Sequence, residues 1–373
     1  MKSEVIIWKK SGLKKLTFFV GSDGKHDETA MALNCFEAAV YNLSKNSGKL
    51  DKSQIVPLFI KDINPVLCYE DATGVFSFTS QSSNLQALWH KHIKLNQYVK
   101  EQDKNALPFL ESLIDKGQMV ILQTVFQRIK YYAEYNPDFD LSTYFHGAAP
   151  HVNIVVFHED DKIYYAEKQP YRIRIENFVP YELNNQIGVI KKSDMEEACN
   201  FYLRCYTLDF TDEDMVRDAF YREDIVRFIH EISDNYDGRT EQLNGFTKYY
   251  GNYAYNRFVE LCDNGTDIKK YLHTERWGLF DKMTFDIWMT HGSRQILFEY
   301  VVQEIKERGC TENLILLKNT LSESIEKWKL FERVMSRLVK SRRSTFLSPK
   351  ITHQIKNIIE IEDRLNGLLK SFS

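Results

Sequence analysis

A chain of 373 residues exceeds what one hydrophobic core usually organises, so its length points to two domains. Hydrophobic residues at 43% and charged residues at 27% exclude wholesale disorder, and a formal charge of -3 lacks the basic excess that marks a nucleic-acid binder. Six cysteines, at positions 35, 68, 199, 205, 262 and 310, form neither a dense disulfide framework nor a CxxC pair, so the expected setting is a reducing cytoplasm.

Taken in chain order, the apolar run Leu16 to Val20 is too short for the core of a signal peptide, and no stretch approaches the roughly 18 apolar residues of a membrane span. No membrane association is expected. Gly21-Ser-Asp-Gly24 signals a turn without the spacing of a phosphate loop. Asn34 to Leu43 places Phe36, Ala39, Val40 and Leu43 on one side of a helix. His90 and His92, two apart and without a third ligand nearby, do not make a metal site. Strands are predicted over Met119 to Phe126, Val152 to Phe157, Lys162 to Ala166 and Tyr171 to Phe178, each rich in β-branched or aromatic residues. Asp160-Asp161 reads as a hairpin turn and Pro170 as a strand edge, so the picture is an antiparallel meander.

Beyond Ser193 the pattern turns helical. Helices are expected over Asp194 to Asp209, then from an acidic N-cap at Thr211-Asp212-Glu213-Asp214 to about Ile232, with a break at Asp237-Gly238. Further helical stretches follow over 241–262, 266–273 and 281–308. Leu314, Leu317, Leu321, Ile325, Trp328, Phe331, Met335 and Leu338 advance by three or four residues, and after Ser348-Pro349 the same spacing returns from Ile351 to Leu368. These two helices predict an antiparallel hairpin whose stripe serves either as core or as the seam of a homodimer. Lys340, Arg342 and Arg343 fall between them and read as a solvated turn.

A cysteine attacks as its thiolate, so a catalytic one wants a helix N-terminus and an imidazole beside it. Cys35 follows Asn34, a good N-cap, and so falls in the first turn of its predicted helix. The bland alternative is a small hydrophobe on the helix's inner face. His151 stands at the mouth of the strand Val152 to Phe157, and Glu167 ends the next strand, one hairpin later. A carboxylate at that point would orient the imidazole and stabilise its protonated form. The other five cysteines have no histidine partner in any pattern and default to structure.

The order of a cysteine in an early helix, a histidine at a strand start and a turn with proline after the next strand resembles the papain-like cysteine peptidases that process double-glycine leader peptides. Asn34-Cys-Phe-Glu-Ala38 and Pro150-His-Val-Asn-Ile-Val-Val156, followed by a helical region, are more similar still to the butirosin biosynthesis protein H family. The resemblance spans roughly residues 30–180. It implies an acyltransferase that takes an acyl or aminoacyl group from a carrier-protein thioester, through the cysteine, to an amine in bacterial specialised metabolism. The partners it implies are an acyl or peptidyl carrier protein bearing phosphopantetheine and a small-molecule amine acceptor; the enzyme itself would hold no metal or dissociable cofactor. Two departures stand out. The peptidases carry Asp-Pro after the second strand where this chain has Glu167-Lys-Gln-Pro170, leaving both Glu167 and Gln169 as the orienting group. Their oxyanion glutamine corresponds to Thr29, which suits an activated thioester better than an amide.

The expectation is thus an α+β protein, with a papain-like catalytic domain over 1–190, a helical domain over 191–373, and Cys35, His151 and Glu167 as catalytic residues. The same fold would serve a peptidase or thioester hydrolase, and a non-catalytic scaffold that binds partners through its helices is the rival from another class.

Overall fold

The computed structural model describes residues 18–19, 27–80, 93–101, 106–125, 128, 150–166, 187–199, 202–210, 219–273, 279–340 and 346–372. In chain order the elements are α1 (Glu28–Ala32), α2 (Cys35–Asn46), α3 (Lys52–Ile55), β1 (Pro65–Glu70), β2 (Phe76–Ser80), β3 (Ile93–Glu101), α4 (Ala106–Asp115), β4 (Val120–Val125), β5 (Pro150–Glu159), β6 (Lys162–Ala166) and β7 (Ile187–Lys191). There follow α5 (Lys192–Ala198), β8 (Tyr202–Phe210), α6 (Ala219–Tyr236), β9 (Arg239–Leu243), β10 (Phe246–Tyr250), α7 (Asn252–Asp263), α8 (Leu279–Arg308), α9 (Glu312–Lys340) and α10 (Pro349–Lys370). The α+β class holds. The strands form two antiparallel sheets, and the C-terminal region is helical.

The chain divides into two compact units, one of residues 1–55 and 92–211, the other of 56–91 and 212–373. A single boundary near residue 190 is therefore corrected, because the backbone leaves the first unit after Ile55 and returns to it at His92. The all-helical description of the second part is corrected as well. Residues 202–210 are strand β8, where a helix to Asp209 was expected, and 239–250 form a hairpin.

In the first unit, six strands run in the order β3-β8-β4-β5-β6-β7. The meander was legible: β4, β5 and β6 fall on three predicted strands, and Asp160 takes a left-handed φ of 47° at the predicted turn. One face of this sheet is built from Val120, Leu122, Val155, Ile163, Tyr165, Leu203 and Cys205, and α4 and α5 close over it with Leu110, Leu113, Ile114, Met195 and Ala198. The expected strand Tyr171 to Phe178, the cap at Thr211 to Asp214, and Gly21 to Gly24, His90, His92, Arg342 and Arg343 lie outside the described residues.

In the second unit, a sheet of order β2-β1-β10-β9 packs with the helices around Phe78, Tyr255, Phe258, Trp328 and Phe331. The β9–β10 hairpin turns through Asn244 and Gly245, both at positive φ (32° and 88°), the backbone that a two-residue turn of the right twist requires. Gly251 has no room for a side chain: a Cβ there would lie 2.4 Å from the Asn235 carbonyl oxygen. Arg364 pairs with Glu323, and His291 lies 3.0 Å from Glu332, contacts that set α9 antiparallel to both α10 and α8. The predicted hairpin of α9 and α10 is thus present, with α8 as a third helix.

At the centre of this bundle Arg294, fully buried, donates from Nε and Nη2 to the two oxygens of Glu362, each at 2.8 Å. Nη1 donates to the Thr290 carbonyl, while Ser324 and the Trp328 indole donate to Glu362. Every charge is met, which is the condition for tolerating ions out of water. Glu362→Ala strands the guanidinium and is expected to cost about 3–5 kcal/mol, read from the denaturant midpoint. Among the described residues, Asp62 is hydrogen-bonded only by amides, accepting from Asn64 N and Nδ2 and from Asn235 Nδ2. Burial pushes its carboxyl up to about 6, and those donors offset only part of the shift. Because the folded value lies above the unfolded one, the stabilisation is full below pH ~4 and is lost as pH rises through ~6. Wild type should gain on the order of 3 kcal/mol relative to Asp62→Asn between pH 7 and pH 4, measured by chemical denaturation of both at each pH.

Candidate functional site

Cys35 is the first residue of α2. Asn34 caps that helix: its side chain accepts from Glu37 N at 2.9 Å, and the Glu37 carboxylate accepts from Asn34 N at 3.1 Å, a complete capping box. The sequence expectation of a thiol in the first turn of a capped helix is met. The positive end of the helix dipole lies at that thiol and favours a thiolate.

A second set of groups holds the approach to this turn. Asp27 caps the short α1 and accepts from Tyr41 Oη at 3.0 Å and Lys45 Nζ at 3.0 Å, both on α2. Burial pushes the Asp27 carboxyl up, but Lys45 and Lys52 outweigh it and hold the group below the ordinary carboxylate range. Burial, helped by the neighbouring Lys52 charge, outweighs Asp27 at Lys45, whose pKa is lowered. Phe19 N donates to Asn42 Oδ1 farther along the same helix. This tie between α1 and α2 was missed, because Lys45 lies beyond the helix predicted over Asn34 to Leu43 and joins Tyr41 only as the helix continues to Asn46. Thr29, the position matched to the oxyanion glutamine, is fully buried in α1, and its hydroxyl makes no hydrogen bond to the described residues.

His151 is the second residue of β5 and is buried. The ladder pairs it with Thr124, Asn153 with Leu122 and Val155 with Val120. Thr124 Oγ1 donates to Asn153 Oδ1 at 2.9 Å, as neighbours on one face do. Because side chains alternate, this row shares the face that α4 and α5 cover. Helix α2 packs against β5, yet its Phe36 meets Tyr206 edge-on at 5.2 Å. Tyr206 pairs with Ile121 and so belongs to the opposite face. The elements that carry Cys35 and His151 touch, while the ladder assigns the imidazole to the face away from α2. Glu167 and Gln169 lie outside the described residues, as does most of Phe126 to Pro150.

The remaining thiols separate by environment. Burial pushes Cys199, Cys205 and Cys262 up to about 12, far from reactivity at neutral pH, and raises Cys68 as well. Cys35 is half-buried and Cys310 exposed. His158 is the next-to-last residue of β5, with its Nε2 3.2 Å from Asp115. Among the described residues, no group of three or more His, Cys, Asp or Glu is placed to hold a metal ion, and no helix is long and apolar enough to cross a membrane.

No family model matches this chain, and no curated protein is similar to it at a significant level. The geometry must carry the functional reading alone. Asn34→Ala removes the side-chain acceptor for Glu37 N while keeping the backbone N–H that the Glu37 carboxylate accepts, and should lower the unfolding free energy by about 1 kcal/mol in denaturant titration.

Proposed function

We propose that the chain is a cysteine-dependent acyltransferase of papain-like architecture, with Cys35 as nucleophile. The single observation that supports it is the half-buried thiol at the capped start of α2, in a chain whose other described thiols are mostly buried and inert. In this reading the Cys35 thiolate attacks a thioester carbonyl, and its S–C bond forms as the carrier's C–S bond breaks. His151, holding the proton taken from Cys35, returns it to the departing carrier thiol. An amine then attacks the acyl-enzyme, the acyl–S bond breaks, and the amine's proton passes through the imidazole back to Cys35. Glu167 or Gln169 orients the ring. The donor is an acyl or peptidyl carrier protein, whose phosphopantetheine thiol is the leaving group, and the acceptor is a small-molecule amine. Water in place of the amine makes the same site a hydrolase.

This reading makes one structural demand. His151 must face α2, which requires the outermost rungs of the β4–β5 ladder, Val125–Pro150 and Thr124–His151, to open and the first residues of β5 to turn over. The placement of His151 on the far face favours a second reading, a scaffold that keeps the fold and binds partners without catalysis.

Intact-mass analysis after incubation with a short acyl thioester separates the two. The enzyme reading expects a one-acyl adduct on wild type, none on Cys35→Ala, and acylation slowed about 10²-fold or more in His151→Ala. It also expects iodoacetamide to modify Cys35 at least about tenfold faster than the exposed Cys310 at neutral pH. Equal alkylation rates with no adduct leave the scaffold reading standing.

A further inference from the structure

In the first unit, the face of the sheet that carries α2 stays open ahead of Cys35. Phe36, the residue after Cys35, meets Tyr206 of β8, and Lys49, just beyond the end of α2, lies 5.8 Å from the centre of the Phe210 ring. Helix α2 therefore starts over Tyr206 and runs toward the end of β8. Arg204 and Tyr202 share the face of Tyr206, because side chains alternate, and they lie ahead of the helix start, about 7 Å and about 14 Å from Tyr206 along the strand. On β3, outermost in the sheet, Val99 pairs with Arg204 and Gln97 with Tyr206, and both are exposed.

Arg204 brings a positive charge to this surface. Its Nη2 donates to Tyr202 Oη at 3.2 Å, its Nε meets no acceptor, and among the described residues no carboxylate pairs with it. Arg257, Arg294 and Arg364, by contrast, each meet a glutamate. The phenols of Tyr202 and Tyr206 flank the guanidinium without neutralising it. Glu37, the acid in the first turn of α2, is turned onto Asn34 N. A guanidinium without a counter-charge, on the side to which the positive end of a helix points, attracts an anion, and its planar fork matches two oxygens of a phosphate. We infer that Arg204 binds a phosphate ester, the one at the far end of a pantetheine arm whose thioester reaches Cys35. The inference rests on the reading of Cys35 as the acyl-accepting thiol and adds where the donor lies: its phosphate at Arg204, its arm crossing Tyr206 and Phe36. A group held there is remote from the reacting carbonyl, and binding energy gained at such a distance is available to the chemical step.

Binding is tested on the full chain carrying Cys35→Ala, under reducing conditions, by isothermal titration with phosphopantetheine, with pantetheine, which lacks the phosphate, and with inorganic phosphate, which lacks the arm. One saturable phosphopantetheine site is expected, at least about tenfold tighter than for either part and weakened by salt. Adding Arg204→Gln should reduce it to the affinity of pantetheine, and Arg204→Lys, which keeps the charge without the fork, should fall between the two. Circular dichroism and the thermal midpoint establish that each variant is folded. With Cys35 restored, acetyl-phosphopantetheine should acylate the thiol at least about tenfold faster than acetyl-pantetheine at equal low concentration; in Arg204→Gln that ratio should fall to about one while the acetyl-pantetheine rate stays unchanged. Equal binding of phosphopantetheine and pantetheine, equal affinity for inorganic phosphate, or a phosphate preference that survives in folded Arg204→Gln overturns the inference. The two readings fail separately. A Cys35 adduct formed at equal rates from both thioesters keeps the nucleophile and overturns the phosphate site, whereas an Arg204-dependent preference in binding with no adduct on wild type keeps the site and removes the catalytic reading.

Discussion

Charge taken out of water has to be matched, and in each unit a matched set decides how the helices meet. A buried ion left alone costs several kcal/mol, more than most single packing contacts return. In the first unit Asp27 caps α1 and is met by Tyr41 and Lys45 of α2, so the two helices are locked across the turn that precedes Cys35. In the second, the Arg294–Glu362 fork joins α8 to α10, with Ser324 and Trp328 of α9 closing the set. Apolar packing alone would leave the rotation of each helix loosely specified, whereas a two-pronged bond between buried ions admits one register. Asp62 shows the limit of the arrangement. Neutral amides satisfy its geometry without matching its charge, and its carboxyl is the buried acid pushed up to about 6.

Local pattern was legible where it was long or one-sided. The stripes from Leu314 to Leu338 and from Ile351 to Leu368 became α9 and α10, and Asn34-Cys-Phe-Glu37 became a capping box. The errors share a cause. Between Tyr202 and Phe210 the buried residues are Leu203, Cys205 and Thr207, a period of two, but apolar residues recur often enough there to satisfy a helical spacing too. The hairpin over 239–250 carried its own signal in Asn244-Gly245, which a helix extending through Gly245 overrode. Its strand β9 is exposed along its length, so no alternation of burial marked it.

Domain organisation and site geometry were less legible, for a different reason. No composition shift marks the departure at Ile55 or the return at His92, since β1 and β2 read locally like any strands of a mixed domain, and it is the pairing of β1 with β10, with β2 on the other side of β1, that joins them to the sheet of the second unit. The orientation of His151 has the same character. Sequence can say that a histidine opens a strand; which face it takes depends on its parity with respect to a helix more than a hundred positions earlier. A shift of one residue reverses the answer. Phe36 against Tyr206 and Thr124 against Asn153 together fix that parity.

That parity also sets the energetic terms of the catalytic reading. Opening the two outermost rungs of the β4–β5 ladder gives up hydrogen bonds worth about 1 kcal/mol each when replaced by water, and moves a buried imidazole across the strand. A cost of about 2 kcal/mol leaves roughly one molecule in thirty competent at rest, and reduces apparent affinity for a donor by the same factor. Binding energy from a carrier protein, delivered far from the reacting carbonyl, is of the right size to offset such a term, whereas a short thioester brings little of it. In the catalytic reading, a cysteine at a capped helix start and a base that has to cross its strand would describe an enzyme that waits for a large donor. The same two facts, with no donor able to turn the strand, describe a scaffold; the ratio of acylation rates with carrier-borne and free thioester measures which of these the fold has become.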